Sequence, residues 1–304
     1  MVDIIIVGGG PAGMTAALYA LRNGKSALVI EKNGFGGQIT HSPKVENYPG
    51  TLQMSGNEFA DRMLEQILAQ GAEIELEKVI SVEDAGDFKR VRTEEGGCYE
   101  GRAVVIATGV KHRMLGLEGE NELVGEGISF CAVCDGDFYT GQTVCVAGGG
   151  NSALQEAILL ADKCSRVVIL QDLPQLTGEG KLQDVLAARE NVQVICDTKI
   201  NRLLTADGAL KGVEIESRTT GEKQEIACDG LFVAIGLIPE NGPFADLAAL
   251  NDWGYFDSDE KCLTKTPGVY VAGDCRSKGV RQLTTAVADG ATAALAACRY
   301  INEQ

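Results

Sequence analysis

The feature that most constrains the fold is a glycine-rich turn between a short apolar strand and a helix, and it occurs twice. The first copy follows an apolar strand at residues 4–7 and contains Gly8, Gly10 and Gly13, and the next predicted strand runs into the acid Glu31. In such a strand–GxGxxG–helix arrangement the glycines let a pyrophosphate approach the helix N-terminus, and the acid accepts from a ribose hydroxyl. The pattern predicts that these four residues bind a dinucleotide.

The second copy follows a strand predicted at residues 143–147, and another strand is predicted at 166–170. Alanine at the third glycine position is compatible with the pattern, because that position serves helix–strand packing. Asp172 lies close to the place where NAD-selective folds hold the adenosine ribose with an acid. The sequence therefore predicts a second nucleotide site, formed by Gly148, Gly150, Asn151, Ser152, Ala153 and Asp172.

The order of these motifs predicts the domain organisation. Buried strands at residues 104–109 and 231–236 each enter a glycine turn, and a strand ending in Gly273-Asp274 comes late in the chain. We predict an α/β fold with two Rossmann-like nucleotide-binding domains of the three-layer ββα type, the second inserted into the first. The expected bounds are 1–113 plus 243–304 for the discontinuous first domain, and 114–242 for the inserted one.

A close cysteine pair lies between the two fingerprints. The chain has ten cysteines, but only Cys131 and Cys134 form a CxxC, and Asp135 follows them. This spacing lowers a thiol pKa and is typical of dithiol redox chemistry, and Asp135 is the candidate acid–base residue, with a helix or turn cap as the alternative. Zinc would need a second cysteine pair or histidines. The chain has only His41 and His112, so we expect no metal site.

Charge and hydropathy exclude several classes of function. The formal charge of −16 argues against nucleic acid and against an anionic membrane surface as partners. No apolar run reaches the length of a membrane span. The first strand is predicted to begin at Val2 or Asp3, which leaves no room for a targeting segment, and we expect a cytoplasmic protein.

With these motifs in this order, the chain resembles the low-molecular-weight thioredoxin reductases, the flavin enzymes of bacteria and archaea. The resemblance covers nearly the whole length. Its matching stretches are Gly8 to Gly13, Gly36-Gly37-Gln38, Glu46-Asn47-Tyr48-Pro49-Gly50, Ala107-Thr108-Gly109, Cys131 to Gly136 with Phe138-Tyr139, Gly273-Asp274 and Arg281-Gln282.

The resemblance implies an enzyme, a thioredoxin-disulfide reductase, and a homodimer. FAD would occupy the first domain, bound by the first fingerprint and by Glu31, Gln38, Asn47, Asp274 and Gln282. Two electrons would pass from FAD to the Cys131–Cys134 disulfide and on to a thioredoxin-like partner. The family implies that Cys134 faces the flavin, that Cys131 attacks the partner's disulfide, and that Cys134 resolves the mixed disulfide.

The sequence departs from the family after the strand at residues 166–170. Members that use NADPH carry His-Arg-Arg there and a further arginine soon after, whereas Asp172, Leu173 and Thr177 stand at the arginine positions here. Each charge-assisted bond to the 2′-phosphate contributes about 1.5–3 kcal/mol, and Asp172 would repel a phosphate dianion. NADPH is therefore disfavoured and NADH is the favoured donor. The alternative is a ferredoxin-like one-electron donor that delivers electrons to FAD directly.

Two departures flank the cysteines. Glu126 stands where the family commonly has an arginine, and Asp137 replaces one member of an aromatic pair. Either these are harmless surface changes, or they indicate a dedicated, atypical thioredoxin-like partner with a more basic surface. Two further alternatives are an FAD/oxygen dithiol oxidase, whose members often carry histidine at the position of Asp135, and a non-catalytic redox sensor or FAD-binding scaffold.

Overall fold

The computed structural model describes residues 1–42 and 44–304, and the chain forms two compact units. The first comprises Met1–Lys111 and Ile238–Gln304, and the second comprises His112–Leu237. The chain passes between them a few residues before the boundaries predicted at 113 and 242.

Helices and strands alternate along both units. In the described residues the α-helices are α1 (Pro11–Arg22), α2 (Gly56–Ala69), α3 (Ala132–Asp135), α4 (Asn151–Ala161), α5 (Gly180–Ala187) and α6 (Leu283–Glu303). The strands are β1 (Val2–Val7), β2 (Ala27–Glu31), β3 (Glu73–Leu76), β4 (Val79–Asp84), β5 (Lys89–Thr93), β6 (Cys98–Ile106), β7 (Lys111–His112), β8 (Ile128–Ser129), β9 (Thr143–Ala147), β10 (Arg166–Leu170), β11 (Val192–Ile195), β12 (Thr198–Ala206), β13 (Ala209–Ser217), β14 (Lys223–Ala227), β15 (Gly230–Val233), β16 (Leu237–Ile238) and β17 (Val269–Val271). Short 3-10 helices lie at Gly37–His41, Asn121–Leu123, Gly136–Tyr139, Gly242–Phe244 and Gly273–Cys275.

The first unit has a parallel sheet in the order β3-β2-β1-β6, with β17 also paired to β6. The long strand β6 also pairs antiparallel with β5 through its first residues, and β5 pairs with β4. Side chains of β1 alternate between two cores because successive residues of a strand point to opposite faces. Ile4 and Ile6 pack with residues of α1 and α6, whereas Ile5 and Val7 pack with Val82 and Val91 of the antiparallel strands.

The α1–α6 crossing is close because small residues line it. A Cβ on Gly290 of α6 would overlap the carbonyl oxygen of Ala12, and it would lie 3.0 Å from the Cβ of Thr15. Ala16, Ala20, Ala293 and Ala297 are all fully buried in the same core. The helix that follows the first glycine loop is thus held by a helix from the other end of the chain.

The second unit repeats this arrangement. Its parallel sheet has the order β11-β10-β9-β15-β8, and a separate antiparallel sheet has the order β12-β13-β14. Val144 and Val146 of β9 pack with α4, whereas Cys145 and Ala147 pack with residues of the antiparallel sheet. Each unit therefore has a helical layer, a parallel sheet and an antiparallel layer. The predicted α/β fold with two Rossmann-like units is confirmed.

No helix in residues 1–42 and 44–304 combines the length and the apolar character that crossing a membrane requires.

Candidate functional site

The first glycine loop is fixed by the acid at the end of β2. Glu31 is buried, and its Oε2 accepts from the backbone N–H of Gly9 at 2.6 Å while Oε1 accepts from that of Asn33 at 2.9 Å. A Cβ on Gly9 would lie 2.7 Å from the Phe35 ring and 3.0 Å from the Cβ of Glu31, so a larger residue there would displace the Phe35 ring. A carboxylate offers about four acceptor positions, which leaves capacity for a ribose hydroxyl as the sequence predicts.

The N-terminus of α1 fits a pyrophosphate. Gly10 is the N-cap residue, and within residues 1–42 and 44–304 this helix end has no capping hydrogen bond from a side chain. A Cβ on Gly10 would meet only the Gly36 carbonyl oxygen, at 3.9 Å. Uncapped N–H groups beside open space are the features that a phosphate group requires.

The remaining residues expected to contact FAD lie on three segments. Gln38 is exposed on the 3-10 helix Gly37–His41. Asn47 donates from Nδ2 to Oε1 of Gln282 at 3.2 Å, and Gln282 caps α6. The structure therefore brings Asn47 and Gln282 together, as expected for two residues of one site.

Asp274 carries a buried oxygen that accepts no hydrogen bond from the described residues. Its Oδ1 has no hydrogen-bond partner among the described residues, and Lys278 Nζ lies 3.5 Å away. Burial raises the pKa of this carboxyl, against the opposing effect of Lys278 and Arg281. A buried oxygen without a partner is costly, and a hydroxyl-rich ligand such as the ribityl chain of FAD would supply the missing donor. The residues of the first unit fit FAD.

A buried ionic network supports the turn that holds Asp274, and no sequence motif indicates this network. Asp289 of α6 accepts from Arg276 Nε and Nη2, both at 2.8 Å, from Lys278 Nζ at 3.0 Å and from the Gly273 N–H at 3.0 Å. Burial raises the pKa of Asp289, but the bonds from Arg276 and Lys278 outweigh it and hold the pKa below its usual value. No spacing motif links these residues, so only the fold could identify them.

The second glycine loop differs from the first at the residue that contacts it. In the parallel ladders Val7 pairs with Ile30 and Ala147 pairs with Leu170, so Gln171 is the equivalent of Glu31. A Cβ on Gly149 would lie 2.6 Å from Cδ of Gln171, which is buried. A neutral amide thus lies against the second loop where a carboxylate lies against the first.

Asp172 lies one residue beyond this position, and its side chain is 55% exposed. It forms an ion pair with Arg218, from the turn after β13. The sequence placed Asp172 near the ribose position but did not identify Gln171, because a one-residue difference in register is visible only in the strand ladder.

The residues predicted to form the second nucleotide site lie at the N-terminus of α4. A Cβ on Gly150, the N-cap of α4, would meet only Thr177 Oγ1, at 3.8 Å, and no side chain caps the helix. Asn151 accepts from the Glu179 N–H at 2.7 Å, Ser152 is exposed, and Ala153 is fully buried. Gly148 has φ 120°, a value that favours glycine. The open space at Gly150 fits a nucleotide pyrophosphate.

The thiol turn contains a disulfide between Cys131 and Cys134, whose Cα atoms are 5.3 Å apart. Cys131 caps α3, and its Sγ accepts from the Cys134 N–H at 3.2 Å. Ser129 accepts from the Cys131 N–H at 3.1 Å and donates to Asp135 Oδ2 at 2.6 Å. A hydrogen bond to sulfur stabilises the thiolate over the thiol, which favours Cys131 as the nucleophile when the pair is reduced.

Asp135 has the environment of a proton donor. Its Oδ1 is buried and lacks a hydrogen-bond partner in the described part of the chain. Burial raises the pKa of this carboxyl, and the Ser129 hydroxyl lowers it to a smaller extent. Asp135 also occupies the N-cap position of the 3-10 helix Gly136–Tyr139, but its side chain makes no capping hydrogen bond there, and Cys131 is the cap of α3.

A second carboxylate reaches the thiol turn and was not predicted. Glu156 Oε2, from α4, accepts from the backbone N–H of Ala132, the residue after Cys131. Burial raises the pKa of Glu156 to about 7, with a further upward contribution from the charge of Asp135. The sequence offered no signal for Glu156, because the contact depends on how α4 packs on the turn.

The surface around the thiol turn is partly apolar. Val133 is 50% and Phe138 is 40% exposed, and Glu126 is exposed. Asp137 forms an ion pair with Lys163 at 2.5 Å. Because Lys163 compensates its charge, Asp137 adds little negative charge to this surface. The residues that the structure describes include no cluster of three histidine, cysteine or acidic side chains suited to a metal ion.

Comparison with known proteins agrees with this geometry. Residues 2–290 match the model of the family described as pyridine nucleotide-disulphide oxidoreductase. The thioredoxin reductase of Bacillus subtilis (strain 168) is 38% identical over 301 residues, which cover 99% of this chain and 95% of that protein. A Clostridium pasteurianum protein described as a 34.2 kDa protein in the rubredoxin operon is 40% identical over 299 residues, covering 98% of this chain and 97% of that one.

Solved structures show the same relationship. The crystal structure of thioredoxin reductase from Streptococcus pyogenes MGAS5005 aligns with a TM-score of 0.94 and 39% identity, covering 100% of this chain and 99% of that one. Identity at this level over the full length, together with the fold and the paired cysteines, establishes the family. The chain belongs to the pyridine nucleotide-disulphide oxidoreductases and, within them, to the thioredoxin reductases.

Proposed function

We propose that this protein is a flavin-dependent thioredoxin-disulfide reductase that passes two electrons through FAD and the Cys131–Cys134 disulfide to a thioredoxin-like partner, with NADH as the donor. The observation that carries the proposal is the thiol turn itself, a Cys131–Cys134 disulfide beside the buried carboxyl of Asp135. Full-length similarity to thioredoxin reductases supports it.

Five residues of the first unit would hold FAD, in addition to the glycine loop. Bound FAD would supply the two-electron reduction of the disulfide. Glu31 would accept from the adenosine ribose, the N-terminus of α1 would bind the pyrophosphate, and Asp274 would accept from the ribityl chain. Gln38, Asn47 and Gln282 would orient the remainder through their amide groups. The unsatisfied Oδ1 of Asp274 is the strongest support for this assignment.

The dithiol chemistry follows from the contacts of the two sulfurs. The Cys134 N–H stabilises a thiolate on Cys131, which would attack the partner's disulfide and form a mixed disulfide, releasing one partner thiolate. Asp135 would protonate that leaving thiolate. Cys134 would then attack Cys131 Sγ, which releases the second partner thiolate and reforms the Cys131–Cys134 disulfide. Two electrons leave the enzyme for each partner disulfide reduced.

The choice of NADH rests on the residues between β10 and α5. None of the residues 171–177 is an arginine or lysine, and Asp172 would disfavour a 2′-phosphate while accepting from a ribose hydroxyl. Its ion pair with Arg218 weakens that repulsion. We therefore propose a preference for NADH in an otherwise ordinary nucleotide site.

The partner is proposed to be thioredoxin-like and more basic than usual at its contact surface. Exposed Glu126 supports this, and the exposed side chains of Val133 and Phe138 would provide an apolar contact. The homodimer expected from the resemblance stays a prediction, which light scattering on the FAD-loaded protein would test.

The first experiment is anaerobic titration of the FAD-loaded protein with NADH, NADPH and reduced ferredoxin, followed by loss of flavin absorbance. Rapid bleaching by NADH, with slower bleaching by NADPH, supports the proposal. Efficient bleaching by NADPH would overturn the donor assignment, and bleaching by ferredoxin alone would mean that the second glycine loop is a retained scaffold. Addition of an oxidised thioredoxin should then restore the absorbance.

A further inference from the structure

Glu156 touches the thiol turn at its centre. Its carboxylate accepts a hydrogen bond from the backbone N–H of Ala132, and Ala132 is 1% exposed. Water therefore cannot easily replace Glu156 as the acceptor, and an N–H left without a partner there would destabilise the turn.

Besides its backbone–backbone hydrogen bonds, three side chains accept from backbone N–H groups of this turn. Ser129 Oγ accepts from the N–H of Cys131, Cys131 Sγ accepts from that of Cys134, and Glu156 accepts from that of Ala132. Ser129 also donates to Asp135. Asp135 is linked to the Cys131 N–H through Ser129, whereas Glu156 binds the neighbouring Ala132 N–H directly. Of these acceptors, Glu156 is the one that comes from another helix.

The charge of Glu156 varies in the pH range where a CxxC thiol ionises. Burial raises its pKa to about 7, the Ala132 bond opposes this, and Asp135 adds to it. The ionisable groups of the turn itself are Cys131, Cys134 and Asp135. The other titratable groups on the elements packed against α4 are Asp137 and Tyr139 of the 3-10 helix Gly136–Tyr139, Cys145 of β9, Arg166 of β10, and Lys181 and Asp184 of α5. None of these six is among the groups that shift the pKa of Glu156 in the described structure.

We propose that Glu156 is a positioning residue for the Cys131–Cys134 couple: its carboxylate fixes the N–H of Ala132, and its negative charge disfavours a neighbouring thiolate, which makes the couple more reducing. This inference rests on the proposed dithiol function. In this proposal Glu156 sets the reduction potential of the cysteine pair, whereas Asp135 transfers a proton.

Glu156→Gln separates the two parts of the proposal, because glutamine can still accept from Ala132 but carries no charge. The FAD-loaded protein is equilibrated in dithiothreitol buffers of defined ratio, and the Cys131–Cys134 state is read by thiol alkylation and mass spectrometry. At pH 8 we expect the equilibrium of E156Q to move at least about threefold towards the dithiol, about 15 mV at 29.6 mV per tenfold. At pH 6, where Glu156 is largely protonated, the variant and the wild type should agree.

The matched control is Asp162→Asn, which removes a negative charge at the end of the same helix, where Asp162 pairs with Arg189. D162N should behave as the wild type at both pH values. A threefold shift in D162N, or no shift in E156Q at pH 8, would overturn the proposal for the charge.

Glu156→Leu tests the positioning part, because leucine offers no acceptor to Ala132. We expect E156L to reduce an oxidised thioredoxin at least about fivefold more slowly than the wild type, with E156Q restoring the rate to within about twofold. Flavin absorbance and near-ultraviolet circular dichroism establish that E156L is folded. Equal rates in folded E156L and wild type would overturn the positioning role. A wild-type dithiol that does not reduce any thioredoxin would instead contradict the proposed function, while the equilibrium shift of E156Q would remain measurable.

Discussion

Replacing Asp172 by alanine tests the assignment of the nucleotide donor most directly. Asp172 follows β10 by one residue beyond the buried Gln171, and its half-exposed carboxylate pairs with Arg218. If it also accepts from the adenosine ribose, D172A loses one charge-assisted hydrogen bond. Such a bond contributes about 1.5–3 kcal/mol, and exposure to solvent places this one at the lower end. The Kd for NADH should therefore rise about tenfold, at 1.4 kcal/mol per tenfold.

The same substitution should improve NADPH binding. D172A removes an anion that repels the 2′-phosphate and releases Arg218 to interact with it. An exposed ion pair is worth at most about 1 kcal/mol, so the gain in NADPH affinity should be up to about fivefold. Preference then moves from NADH towards NADPH, without any change in the flavin unit.

The assay is anaerobic stopped-flow reduction of the flavin at fixed ionic strength, with Kd taken from the dependence of the rate on nucleotide concentration. Arg218→Ala is the matched control, because it keeps the acid and removes the cation. R218A should keep NADH affinity within about threefold and weaken NADPH further. Unchanged NADH affinity in D172A would refute the reasoning, and Gln171, which occupies the position of Glu31, would become the residue to test.

Four further changes test other parts of the structure. Cys131→Ser should retain FAD, seen in its absorbance spectrum, and abolish reduction of a thioredoxin disulfide; turnover that persists would contradict the role of Cys131. Asp274→Ala removes the carboxyl group with the unsatisfied oxygen. Because a hydrogen bond to a charged group contributes about 1.5–3 kcal/mol, FAD binding should weaken about tenfold or more. Flavin fluorescence on dilution measures this loss. Burial raises the pKa of Glu156 to about 7, so ionisation of Glu156 lowers the stability of the folded protein as pH rises from 4.5 to 7. The Tm of E156Q relative to the wild type should therefore increase over this range. A Tm difference that stays constant would argue against the raised pKa. Gly290→Ala places a Cβ against the carbonyl of Ala12 and should lower the free energy of unfolding by about 1–3 kcal/mol. Thr292→Ala is the control, because the Thr292 hydroxyl donates to Ala288 within α6, and it should change the free energy of unfolding little.

Much of the fold follows from short-range patterns. The strands at residues 143–147 and 166–170 lie where they were predicted, because apolar runs bounded by glycine and polar residues define their ends. Helix boundaries were less accurate. The amphipathic pattern near residues 57–72 predicts a helix there, whereas α2 begins at Gly56, after Ser55 accepts from the Glu58 N–H, and ends at Ala69. The segment from Leu154 to Lys163 predicts a helix after the second glycine loop, whereas α4 begins at Asn151, directly after that loop.

The site was predictable where chemistry depends on residues close in sequence. Both glycine loops, the cysteine pair and Asp135 could be identified in this way, whereas Glu156 and Asp289 could not. The contact between Glu156 and Ala132 requires α4 to pack on α3, and the bonds of Asp289 require α6 to pass the Gly273–Cys275 turn. The difference between Gln171 and Asp172 depends on a strand register, which the ladder between β9 and β10 defines.

The close crossing of α1 and α6 has a consequence for biosynthesis. The first glycine loop leads into α1, yet α1 is packed by a helix that the ribosome makes only after the whole inserted unit has been synthesised. The inserted unit is continuous and has its own core, so it can fold as soon as it emerges. FAD should therefore be captured late, once α6 has closed against α1, and a nascent chain that ends before Leu283 should contain a folded second unit but release flavin.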